Sequence, residues 1–287
     1  MRPDTLTELC HKHGIERPPD TRGKSFPDFS PFARCYIAVC ECLREEGDLR
    51  RLVFEVAEDS AKSGAFWIEP ALSLELYADR FGGPEKTLCM LLAAAEDAED
   101  ATGVAIGFIV AAERHMPVEK AEALARAVKN LAEGGAAKIK GRDGIIGFGL
   151  HGAEVGNPPE PWKEAFKIAC VAGVVPLPHA GEYPPSSAPG AGPGSVQFCV
   201  DHLGARRIAH GVLAAEDDGL VAHLATLQVC LDICPTSNQL LGTVRGPGLQ
   251  SPLKQFLEAG VPCTINSDDP LLFGCSLLGE YERCRQE

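Results

Sequence analysis

The sequence predicts an α/β fold, a TIM (β/α)8-type barrel, on three observations. The chain has 287 residues, and a single α/β domain near 250 residues points first to such a barrel. Seven short apolar segments alternate with helix-like ones, which is the pattern of a parallel sheet. Residues able to do chemistry gather at the C-terminal ends of those apolar segments, where barrel enzymes place their sites.

The apolar segments are Ala65 to Glu69, Val104 to Ala111, Gly144 to Leu150, Gly173 to Pro178, Arg207 to Gly211, Gln228 to Cys234 and Val261 to Ile265. Several are apolar almost throughout, as strands buried on both faces are. Between them, Val118 to Leu131 sets Ala and Leu at helical spacing against Lys and Glu. Ahead of the first strand, Thr5 to His13 reads as a helix stopped by Gly14, and two more helices are expected over Pro31 to Glu46 and Leu49 to Ser63. Tyr183 to Ser195 (YPPSSAPGAGPGS) reads as an irregular Pro/Gly loop, a surface insertion or a cover over the site. An open doubly wound sheet would carry a glycine-rich turn after its first strand, and no G-x-G-x-x-G follows a strand here. The whole of 1–287 is expected to form one domain.

Composition narrows the function. Twenty-seven basic residues against 40 acidic give a formal charge of −13, a field that repels nucleic acid and suits a neutral or cationic small molecule. The longest apolar run, Val104 to Ala112, is about half the ~20 residues that span a bilayer. Neither a signal peptide nor a transit peptide opens at Met1-Arg2-Pro3-Asp4. The 12 cysteines are scattered, many inside apolar segments, and no C-x-x-C pair occurs. Reduced, buried thiols in a cytoplasmic protein are therefore expected.

Seven polar residues, Glu69, Arg114, His151, His179, His210, Asn238 and Asp268, fall at or just after strand ends. In Pro178-His179-Ala180-Gly181-Glu182, an imidazole at a strand end and a carboxylate brought alongside by a glycine turn suit metal ligation and acid–base work. Arg207-Ile208-Ala209-His210-Gly211 supplies a second histidine. Asn266-Ser267-Asp268-Asp269-Pro270 supplies adjacent carboxylates that are costly to bury unless a cation or a substrate meets them. Asp269 alone also reads as a helix N-cap before Pro270. Together these groups describe a hydrolytic metal site on one rim.

At these residues the sequence resembles the adenosine deaminase family of metal-dependent hydrolases. The matching segments are His179 to Glu182, Arg207 to Gly211, Cys234-Pro235-Thr236-Ser237-Asn238 and Asn266 to Pro270, with Ile146 to Leu150 followed by Gly152 and Glu154. The resemblance implies zinc-dependent hydrolytic deamination of an adenine-containing compound, with adenosine or deoxyadenosine expected first and adenine or a conjugate such as aminodeoxyfutalosine also within the family's range. It implies His179 and Asp268 as zinc ligands, and His210 as the group that orients and helps deprotonate the attacking water. Glu182 would protonate a purine ring nitrogen, and Asp269 and the backbone N–H of Gly152 would bind two others.

The family's first strand carries His-x-His, two further ligands, and this chain shows none. His11-Lys12-His13 falls in the expected first helix, where residues two apart diverge by about 200° and cannot share one ion. It is expected to be a solvent-facing helix end. The chain also stops before the family's closing helices, so a barrel trimmed at both ends is expected. A catalytically inactive, metal-free relative that at most binds a purine or a protein is the alternative function. His151, with Ala153 on the far side of Gly152, is expected to be a rim histidine bonded to its neighbours. His115, His202 and His223 are expected at the surface.

Overall fold

The computed structural model describes residues 1–183, 191–244 and 252–286. The chain opens with α1 (Pro3–His13), α2 (Phe29–Glu41) and α3 (Glu46–Lys62). Two short strands, β1 (Trp67–Ile68) and β2 (Ala71–Leu72), precede α4 (Pro84–Thr102). After them come β3 (Ala105–Ile106), β4 (Phe108–Glu113) and α5 (Val118–Glu133), then a hairpin of β5 (Lys138–Ile139) and β6 (Arg142–Asp143). The chain continues through β7 (Ile145–His151), α6 (Lys163–Val171), β8 (Val175–Pro176), β9 (His179–Ala180), α7 (Pro193–His202), β10 (Arg207–His210) and α8 (Asp218–Leu227). It ends with β11 (Cys230–Ile233), α9 (Pro235–Leu240), α10 (Leu253–Ala259), β12 (Cys263–Ile265), α11 (Pro270–Phe273) and α12 (Leu277–Gln286).

All seven expected strands are present, and prolines divide two of them. The first continues past Glu69 to Leu72 and is interrupted at Pro70, which has no N–H for the ladder but still accepts from Ile109 N–H at 3.1 Å. The fourth runs on to Ala180 as two pieces. On one side β8 pairs with β7, and on the other β9 pairs with β10. The two four-stranded sheets, β2-β4-β7-β8 and β9-β10-β11-β12, are thereby joined through one run of chain, all pairs parallel. The result is an arc of seven strand positions with helices outside, and every residue of β4 is buried.

Between the two ends of the arc the connection runs through side chains. Arg207 Nε donates to both Asp232 oxygens at 2.8 and 2.6 Å, and its Nη1 pairs with Glu69 from the other end. Thr264 on β12 donates to the same Asp232 at 2.7 Å.

The N-terminal helices move slightly from expectation. The second starts at Phe29 because Asp28 caps it, accepting from Ser30 N–H at 2.8 Å. It ends at Glu41, and a capping box of Glu45 and Asp48 opens α3 at Glu46, three residues before the expected start. Gly14, with φ 64°, closes α1 as expected. His11 and His13 do lie on that helix, but His13 is not solvent-facing: its Nε2 meets the buried Asp48 carboxylate at 2.9 Å. The expected irregular loop also ends early, because Pro193 to Ser195 form the first turn of α7 with Pro at its start. Residues 184–190 of that loop lie outside the described residues. Among the described residues no disulfide forms, and no helix is long and apolar enough to cross a membrane.

Candidate active site

The site stands where the C-terminal ends of β7, β9, β10, β11 and β12 meet. His210 ends β10 with φ 63° and Asp268 follows β12 with φ 54°, two of only four described non-glycine residues with positive φ. L-residues are held in that left-handed region at a cost, and such strain gathers at functional sites. His210 Nε2 lies 3.5 Å from Glu182 Oε1 and 3.8 Å from Asp268 Oδ2. The His179 ring is tilted against that of His210 with centroids 5.2 Å apart. Four of the six expected site residues thus meet: His179, Glu182, His210 and Asp268.

The other two flank them. Asp269 is half-buried beside Asp268 and occupies the N-cap position of α11, but its side chain makes no capping hydrogen bond. The capping explanation for this carboxylate therefore fails. Gly152, with φ 94°, passes close under the strand end of β4; a Cβ there would lie 3.5 Å from Arg114 N and 3.6 Å from Glu113 Oε2.

Burial governs the electrostatics. It pushes the Glu182 carboxyl up to about 7, with Asp268 adding to the push and His210 opposing it. Burial lowers His210, but facing Glu182 and Asp268 it is held above its ordinary value overall. Burial, with His151 and His210 alongside, holds His179 well below the usual histidine range. Asp269 is raised well above the carboxylate range by burial and by Asp268. A carboxyl raised to about 7 beside a histidine raised above its ordinary value brings two proton-exchanging groups toward the neutral range in one place.

His151 is bonded to its neighbours as expected. Its Nδ1 lies 3.0 Å from Ser73 Oγ, which also accepts from Tyr36 at 3.2 Å, and its ring meets the His179 ring edge-on at 4.3 Å. His115 and His202 are exposed, and His223 is bonded to Asp201 at 2.9 Å.

Three residues that the sequence placed on the rim or in a motif, without a role, enter the site. Asn238 lies 3.0 Å from His210 Nδ1. Cys234, His210 and Asp268 bring a sulfur, a nitrogen and an oxygen within 4.8 Å of one another. Arg114, 2% exposed, donates to the carbonyl of His179 at 2.8 Å and to that of Asn157 at 2.6 Å. The only available signal was position: Cys234 and Asn238 sit in Cys-Pro-Thr-Ser-Asn just after β11, and Arg114 sits just after β4. Imidazole nitrogen, thiol sulfur and carboxylate oxygen form a donor set that suits a zinc-like ion. His179 lies outside that trio.

A parallel arc of strands with polar and titratable side chains gathered on one rim is the architecture of a barrel hydrolase, and comparison with known proteins gives the family. The adenosine deaminase family model matches residues 1–287. An aminodeoxyfutalosine deaminase of Streptomyces coelicolor is 34% identical over 284 residues, 97% of this chain and 70% of that protein. An adenine deaminase of Rhizobium meliloti is 33% identical over 283 residues, 98% of this chain and 82% of that protein. The crystal structure of an Arthrobacter aurescens adenine deaminase superposes with a TM-score of 0.84 at 27% identity, covering 99% of this chain and 83% of that one. The chain belongs to the adenosine deaminase family, hydrolases that act on carbon–nitrogen bonds in cyclic amidines.

Proposed function

We propose that the chain hydrolyses the exocyclic amine of adenosine or deoxyadenosine, releasing ammonia and the inosine-type product, in a zinc-dependent reaction. The observation that carries this reading is the meeting of Glu182, His210 and Asp268 within 4 Å on one rim. His179 and Asp268 would hold the ion. The chemistry a zinc ion would supply when bound is a water made acidic enough to ionise near neutral pH.

The chain's own residues do the rest. His210 takes a proton from the attacking water, through the Nε2 that faces Glu182 and Asp268. Attack at the amine-bearing carbon breaks ring aromaticity, and Glu182, whose carboxyl is raised to about 7, delivers its proton to the adjacent ring nitrogen as charge develops there. Asp269, whose carboxyl burial and Asp268 push well above the usual carboxylate range, hydrogen-bonds a second ring nitrogen, and Gly152 N–H donates to a third. His210 then passes its proton to the amine, ammonia leaves from the tetrahedral carbon, and the proton of the new hydroxyl returns to Glu182 as the carbonyl forms.

The test is ammonia release from adenosine, deoxyadenosine and adenine, together with metal content by elemental analysis. The reading expects one zinc per chain and release from adenosine or deoxyadenosine, reduced by roughly 10²- to 10⁴-fold in Glu182→Gln. Zinc-replete protein that releases no ammonia from any of the three refutes it. Loss of zinc in His179→Ala with retention in Cys234→Ser supports the ligand assignment, and the opposite pattern transfers the metal to the His210, Cys234 and Asp268 trio.

A further inference from the structure

We propose that Glu154 is a positioning residue that aims the Glu182 carboxyl, by binding the backbone of the turn that carries it. Glu154 is 1% exposed. Its Oε2 accepts from Gly181 N–H at 2.9 Å, and its Oε1 accepts from Glu182 N–H at 2.8 Å and Tyr183 N–H at 3.2 Å. Three consecutive amides converging on one carboxylate form an anion nest, and the left-handed Gly181, φ 63°, is what lets them converge.

The turn is held from its other side as well. Arg114 binds the carbonyl of His179, and Thr243 Oγ1 donates to the carbonyl of Glu182. Glu182 is therefore fixed at both its N–H and its C=O, which leaves its side chain only its own torsions. Among the described residues no ion pair within 4.0 Å joins Glu154 to a cation, so its charge is met by these amides. A buried carboxylate left without them would cost several times what an ordinary surface group does.

This inference rests on the proposed contact between Glu182 and a purine ring, and its test separates the two. The variants are Glu154→Ala, Glu154→Gln, Glu182→Ala and the Glu154→Ala/Glu182→Ala pair. The probe is inosine, the proposed product, whose ring N–H would meet Glu182. Glu154→Ala is expected to weaken inosine binding about tenfold, the worth of one hydrogen bond to a charged group, and to add nothing once Glu182 is gone. Glu154→Gln keeps one acceptor oxygen, so it should fall between and serves if the alanine variant does not fold.

Amide exchange supplies the second readout. It should quicken at Gly181, Glu182 and Tyr183 in Glu154→Gln and stay unchanged in β10. Equal losses of affinity with and without Glu182, or unchanged exchange at the three amides, would overturn the proposal. Wild-type protein that does not bind inosine would defeat the purine-nucleoside reading, while the exchange pattern still decides whether Glu154 holds the turn.

Discussion

The imidazole of His210 and the carboxamide of Asn238 meet at 3.0 Å, Nδ1 to Nδ2, with both side chains 1% exposed. This contact decides which ring nitrogen carries the proton. An amide N–H donating to Nδ1 leaves the proton on Nε2, and His210 can then only donate toward Glu182 and Asp268. A half-turn of the amide puts Oδ1 on Nδ1–H and frees the Nε2 lone pair to act as a base. The proposed reaction needs the second arrangement. Nitrogen-15 NMR of His210 should show the Nδ1–H tautomer, and Asn238→Ala should mix the tautomers and lower kcat about 10²-fold with little change in KM. A wild-type Nε2–H tautomer would remove His210 as the base.

Glu113 ends β4 with a carboxyl that burial raises to about 7, with Glu75 adding to the rise and Ser73 opposing it. Among the described residues its Oε1 has no hydrogen-bond partner. The sign follows from linkage: between about 4.5 and 7 the folded chain holds a proton that the unfolded chain has released, so stability falls as pH rises through that window. Glu113→Gln removes the titration. It should match the wild type at pH 4 and exceed it by up to about 3 kcal/mol at pH 8, each pKa unit being worth 1.36 kcal/mol. Urea unfolding at the two pH values checks this.

Arg207 stands between two carboxylates, Glu69 and Asp232. Asp232 is raised by burial even so, which leaves the arginine as the charge on which both acids depend. Arg207→Met should cost about 3–5 kcal/mol, because it strands two partly buried carboxylates. Replacing Asp232 with Asn in the same chain should restore part of that loss. The pair can be compared by chemical denaturation, and simple addition of the two losses would show that the three groups do not act as a network.

Most of the fold could be read in the sequence, because strands buried on both faces are written as continuous apolar runs. The segment Phe108 to Ala112 inside β4 is the clearest case. The exact joints could not be read. Proline removes a ladder donor without ending a strand, so Pro70 and Pro178 lengthen strands that an apolar count stops short. Four of the six expected site residues converge, since each was set at a strand end and parallel strands share one rim. Glu154 and Asn238 gave a weaker signal: a carboxylate that binds backbone amides and an amide that sets a tautomer depend on contacts 27 and 28 positions away in the chain, and no local spacing records them.

Gly181 connects the fold to the proposed chemistry, and one substitution there separates two costs. A Cβ at this residue would lie 2.6 Å from Val196 Cγ2, and the backbone sits at φ 63°. Gly181→Ala should therefore lose about 1 kcal/mol to the left-handed backbone and about 1–3 kcal/mol to overpacking against α7. Val196→Ala removes the clash and leaves the strain, so in the double variant stability should recover by roughly the overpacking share. Activity should not recover with it, because the turn that Glu154 binds is still forced from its geometry and Glu182 moves with it. Thermal melts and kcat measured on the same four proteins make the comparison. Full recovery of both together would mean that Gly181 is there only for room, and that the left-handed turn plays no part in aiming Glu182.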